Sequence, residues 1–127
     1  MNEDAAPNPT AQHGGPPDIW TDQPCMQRLV SGDMPDIASQ SECDRINKRV
    51  RRFRYSNGLL YRVFTDGSRR EVPRPAKRTD IVSKSHDDSG HFGIKRTTSV
   101  VDTEYWWHGM YEQVQLYVRS CDSYARG

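Results

Sequence analysis

Three side chains in the last third of the chain carry donor atoms suited to a metal ion: His86, His91 and Cys121. A structural zinc takes four nitrogen or sulfur ligands in a tetrahedron, and two imidazoles with a thiolate are most of such a set. Four residues separate the histidines, and 29 separate His91 from Cys121. On an unbroken helix, positions five apart lie about 140° apart, so both histidines cannot face one ion. Gly90 relieves this, because glycine lets the chain leave the helix between them. His86 is then expected at a helix end, His91 on the following loop, and Cys121 near the end of the last helix. A Cys-x2-Cys pair would complete the set at position 124, which is Tyr124. A phenol has an ordinary pKa of about 10, and its oxygen lies farther from the backbone than a cysteine sulfur. Three arrangements stay open: a three-ligand site completed by water, a substitute ligand such as His108 or Cys43, or no metal. His108 is the poorer substitute, about 20 Å from Cys121 along one helix at 1.5 Å per residue. The bland alternatives are that the histidines are surface residues of a polar loop and that Cys121 is a small core residue. Three ligands with an open position also resemble a hydrolytic zinc, with Asp87 or Glu104 as base, but the spacing defines no substrate pocket.

The elements that would position these residues follow from periodicity. Met110, Val114, Tyr117, Val118 and Cys121 form one helical stripe. Two shorter helical segments precede it, Arg78 to Ser85 and Ile94 to about Thr103. Gly90, Gly93 and Gly109 occupy the turns. Upstream, Phe53–Tyr55, Leu59–Phe64 and Arg69–Val72 alternate around Asn57-Gly58 and Asp66-Gly67. Both dipeptides accept positive φ, so a small antiparallel hairpin or meander is expected. Ile46, Val50 and Phe53 share one helical face, which suggests a basic helix over residues 36–52. The fold class expected is small α+β: an N-terminal disordered segment, a helix, a short meander, then a three-helix zinc-binding bundle. The expected divisions are 1–35 as leader, 36–52 as basic helix, and 53–127 as hairpin plus helical domain. Phe92, Ile94, Val101, Tyr105, Trp107, Met110, Val114, Tyr117 and Val118 are the expected bundle core. Trp106 and Trp107 are adjacent, so one of them faces outward or an interface.

Composition sets bounds on this scheme. Six of the eight prolines fall in residues 1–35 with no apolar periodicity, which motivates the leader reading. Hydrophobic residues are 34% of the 127, too few for a large core throughout. No signal peptide or membrane-length apolar run is present, so an intracellular protein, nuclear or cytoplasmic, is expected. Three widely spaced cysteines do not read as a disulfide framework. The net charge of +1 conceals a block at residues 45–78 with twelve Lys/Arg against two acids. Such a block suits phosphates, or is simply a solvated face. Lys48, Arg49, Arg51, Arg52, Arg54, Arg69 and Arg70 are the candidate nucleic-acid contacts, with DNA the expected partner.

Several spaced motifs then agree in order and distance with a known family. His86-Asp-Asp-Ser-Gly-His91-Phe92-Gly93, with Lys95 and Thr97 or Thr98, resembles the opening of the His-His-Cys-Cys zinc-binding domain of gypsy-class LTR retrotransposon and retroviral integrases. Tyr105-Trp106-Trp107-His108-Gly109-Met110 is similar to that family's Tyr-Trp-Pro-Gly-Met segment, with His108 at the Pro position. Val114, Tyr117, Val118, Ser120 and Cys121 match its last helix. Asn57-Gly58-Leu59-Leu60-Tyr61-Arg62 and Val72-Pro73 resemble the strand pair that commonly precedes it. The resemblance covers about residues 53–124. It implies zinc as cofactor, with His86, His91 and Cys121 as ligands and Tyr124 standing where the fourth belongs. It implies other integrase chains as partners beside DNA, with no membrane and no small-molecule substrate. In the family this module leads into a catalytic core of RNase H-like fold, for which the chain has no length after Tyr124. The implied product is a non-catalytic fragment of a retroelement polyprotein, not an enzyme. The alternative is a degenerate remnant that serves only as a protein-interaction module or has no selected activity.

Overall fold

The structure, a computed structural model, describes residues 16–36, 38–88 and 93–126, with side chains as far as residue 121. The described residues are α+β, with five α-helices and one three-stranded antiparallel sheet, and the chain divides into two compact units. Residues Pro17–Pro73 form one; the other takes in residues 74–126.

The first unit begins earlier than its prolines suggest. A 3-10 turn spans Ile19–Thr21, and helix α1 spans Gln23–Ser31, inside the segment expected to lack structure. The reason is local. Asp22 caps α1 by accepting from the Cys25 amide, Pro24 sits in the first turn, and Gly32 ends the helix at φ 84°. Proline fits a first helical turn because the amide it lacks has no partner there, and glycine suits the left-handed terminus. Ile19, Cys25 and Met26 are buried. Trp20 donates from Nε1 to the Val72 carbonyl at 2.9 Å, tying the turn to the far end of the unit. Residues 1–15 lie outside the described residues.

Helix α2 spans Gln40–Val50, shorter than the expected 36–52. Ser39 caps it by accepting from the Glu42 amide at 3.2 Å, the first half of a Ser-x-x-Glu capping pattern. Phe53 leaves the helix to open strand β1. Strands β1 (Phe53–Ser56), β2 (Leu59–Val63) and β3 (Arg69–Glu71) pair in sequence order. Asn57 and Gly58 have φ 53° and 81°, the primed turn that matches strand twist. Leu60 and Val72 are fully buried with Ile46 and Phe53 beneath α1 and α2. The meander thus shares a core with α1 and α2.

Asp22 locks this unit. It is 3% exposed and ion-pairs with Arg49 at 2.6 Å and Arg45 at 3.1 Å. Burial alone would raise its pKa, but hydrogen bonds from Arg45, Cys25 and Arg49 outweigh that and hold it low. The Cys25 thiol, desolvated and beside this carboxylate, is pushed up to about 11.

In the second unit α3 (Pro75–Asp88), α4 (Ile94–Glu104) and α5 (Met110–Arg126) pack pairwise. Val82, Val101, Trp107, Met110, Val114 and Val118 are buried between them. Full burial of each such side chain stabilises by about 1.5–3 kcal/mol. Ile94, Tyr105 and Tyr117, expected in the core, are only half-buried, and Phe92 lies outside the described residues. Of the two adjacent tryptophans, Trp107 is buried and Trp106 half-buried.

Candidate functional site

His86 is in the last turn of α3 and completely buried. Its Nδ1 is 3.1 Å from the hydroxyl of Thr97, itself 0% exposed on α4. The Tyr117 ring meets the imidazole edge-on, with centroids 5.8 Å apart. Buried surroundings of this kind fix the ring in one orientation. If Nδ1–H donates to Thr97, the buried Nε2 carries the ring's lone pair and is the nitrogen that would hold a metal. A partner on the other ring nitrogen is the usual arrangement behind a metal-bound histidine.

The relation of α3 to α5 brings Cys121 into the argument. Gln113 donates to the Thr79 hydroxyl at 3.4 Å, and Tyr117 donates to the Ser83 hydroxyl at 3.1 Å. Both contacts advance four residues in the same sense, so the two helices run parallel. Cys121 follows one turn after Tyr117 on the same helical face, at the end where His86 lies. It is half-buried, and its thiol is in no disulfide. α5 continues as helix through position 124, so Tyr124 stands three residues along, on the neighbouring position of that face. His91 and the Tyr124 side chain lie outside the described residues. Among those described, no three His, Cys, Asp or Glu side chains gather into a metal-binding group.

His108 is exposed in the turn before α5. Cys43 lies on α2, in the other unit, with its thiol 3.9 Å from the Ala38 carbonyl.

Sequence reading did not single out Arg78 and Gln113. Arg78 is 2% exposed, with its guanidinium carbon 5.5 Å from the Trp107 ring centroid. Gln113 accepts from Trp107 Nε1 at 3.0 Å while donating to Thr79. The Trp-to-helix spacing of six residues was the available signal, since a buried indole N–H needs an acceptor.

The basic residues fall into two groups. Arg49 is set apart from the other candidates, because Asp22 and the Pro17 carbonyl hold its guanidinium. Lys48, Arg51, Arg52, Arg54 and Arg69 are exposed, and Arg70 is half-buried. Arg69 stacks on Tyr61 at 4.4 Å, and Arg70 on Phe64 at 4.7 Å. Arg62 lies 5.0 Å from the same Phe64 ring and 5.9 Å from Phe53. Cation–π contacts at exposed sites contribute about 0.5–1 kcal/mol each. Arg62 is held below its ordinary pKa by burial and by the charge of Arg52.

The three-helix unit thus places a buried histidine in the last turn of its first helix and a half-buried cysteine on its last. Residues 73–127 match the family model of the integrase zinc binding domain, which the second unit therefore resembles. No curated protein matches the chain. No helix among the described residues is long and apolar enough to cross a membrane.

Proposed function

We propose that the chain is a non-catalytic, zinc-stapled integrase module from a gypsy-class retrotransposon polyprotein, associated with nucleic acid or with other integrase chains inside the cell. The observation that carries this reading is the buried imidazole of His86, oriented by Thr97 at the end of α3 toward which α5 directs Cys121. His86, His91 and Cys121 would hold the ion. Zinc, when bound, would supply a crosslink between α3, His91 and α5. In a unit of this size, structural zinc contributes on the order of 10 kcal/mol to folding. Losing one thiolate removes much of that, so affinity is expected to be weak.

Titration of the full chain against a competing chelator, followed by circular dichroism, tests the site. Zinc is expected to raise helix content weakly, and Tyr124→Cys to tighten binding by orders of magnitude. Failure of Tyr124→Cys to bind zinc would reject the ligand set.

The second reading, a degenerate remnant acting only as a protein-interaction module, is favoured by Tyr124 itself. It gains if the chain folds fully without metal and Tyr124→Cys alone binds it.

A further inference from the structure

An open cleft of about 390 Å³ lies where α1, α2 and β1 meet, wholly within the Pro17–Pro73 unit. Sites for small organic ligands span about 300–1,000 Å³. Leu29, Val50, Phe53 and Tyr55 give the cleft an apolar lining, and Arg28, Arg51 and Arg54 reach it from three different elements. Among the described residues, no acid lines it.

Helix-end capping explains part of this arrangement. Arg28 donates from Nη1 to the Gly32 carbonyl, and Arg54 donates from Nη1 to the carbonyls of Arg51 and Phe53. A guanidinium has five N–H donors, so most remain after those bonds. Capping does not explain Arg51, whose exposed side chain makes no hydrogen bond or ion pair among the described residues. No described carboxylate pairs with Arg28 or Arg54 either. The carboxyl ends of α1 and α2, at Gly32 and Arg51, each offset about half a charge. Asp33, exposed just beyond Gly32, offsets about one more. Three guanidiniums still keep the cleft positive. Tyr55 differs from the other aromatic residues of the meander. Arginines stack on Phe53, Tyr61 and Phe64, whereas Tyr55 is half-buried with no cation or ring against it and no hydrogen bond from its hydroxyl among the described residues.

We propose that this cleft binds a nucleotide unit of single-stranded nucleic acid, its phosphate on Arg51, Arg54 and the remaining donors of Arg28, its base on Tyr55. Guanidiniums match phosphate oxygens in planar geometry. An uncovered aromatic ring beside a positive groove is how unpaired bases and their backbone are held together, without regard to sequence. A duplex keeps its bases stacked inside and offers the cleft only its phosphates. The inference rests on the nucleic-acid reading above and gives it a place in the first unit.

The test is fluorescence anisotropy of the full chain with a labelled single-stranded DNA and, in parallel, the corresponding duplex, over a range of salt. Removing one phosphate-binding charge lowers the single-strand slope of log K against log salt by about 0.7. Arg51→Gln, whose side chain holds nothing else in the fold, is expected to lower it by one such step, and Arg51→Gln/Arg54→Gln by nearly two. Tyr55→Leu is expected to weaken the single strand by about fivefold or more without moving the slope. Arg69→Gln on β3, outside the cleft, should leave both unchanged. Circular dichroism melts establish that each variant is folded. An unchanged slope in folded Arg51→Gln and Arg51→Gln/Arg54→Gln, with binding retained, overturns the cleft alone. An equal drop for Arg69→Gln does the same, because it means diffuse attraction. Duplex bound as tightly as the single strand, with Tyr55→Leu neutral, overturns the seat for a base. Adenosine monophosphate that competes as strongly as unlabelled strand overturns the strand as occupant in favour of a free nucleotide. Absence of binding to either nucleic acid at low salt overturns the nucleic-acid reading along with the cleft.

Discussion

At the scale of the residue, the candidate centre depends on a hydroxyl. Thr97 is the buried partner of His86 Nδ1. Thr97→Val keeps volume but leaves a polar ring nitrogen without that partner, which costs about 1–3 kcal/mol. Chemical denaturation of the metal-free chain should show this loss, and zinc affinity should fall further if the ring's orientation matters. A neutral substitution on both counts would remove Thr97 from the site. His86 and Cys121 stand out in the sequence as candidates because donor type and spacing are written there directly. The depth of His86, its hydroxyl partner and its contact with Tyr117 were not, because they arise where three helices meet. Nor does composition reveal which arginines are already engaged: Arg49 reads like its neighbours until Asp22, 27 residues away, is folded against it.

At the scale of the element, Asp22 does three things at once. It caps α1, is buried beneath it, and draws Arg45 and Arg49 of α2 onto one carboxylate. Asp22→Ala should therefore destabilise the Pro17–Pro73 unit by about 2–4 kcal/mol, combining the loss of a cap with the loss of charged hydrogen bonds. The carboxyl's pKa is lower in the folded chain than its ordinary 3.8. Its contribution is thus present above that value and is lost as pH falls through the lower folded value. Acid titration of stability should show a component in this range that Asp22→Ala abolishes. The strands were readable because Asn57-Gly58 and Asp66-Gly67 punctuate them. α1 was not, because its prolines suggested a linker. Its markers were nevertheless present: an Asp cap, Pro24 in the first turn, four apolar residues from Cys25 to Val30, and Gly32 at the end.

At the scale of the whole molecule, the two units have separate cores, and the proposed zinc ligands all belong to one of them. The first closes its core around Ile46, Leu60 and Val72 and holds none of the proposed zinc ligands. Hydrogen exchange of the zinc-loaded chain, before and after chelation, should therefore show protection lost along α3, α4 and α5 while the strands and α2 keep theirs. Loss in both together would mean that they fold as one. The parallel course of α3 and α5 has a further consequence. Each helix carries partial negative charge at its carboxyl end, and both of these ends lie toward His86 and Cys121. The amino end of α4, whose Thr97 meets His86 there, carries the opposite sign, so two carboxyl ends against one amino end leave that pole of the bundle modestly attractive to a cation before any side chain is counted.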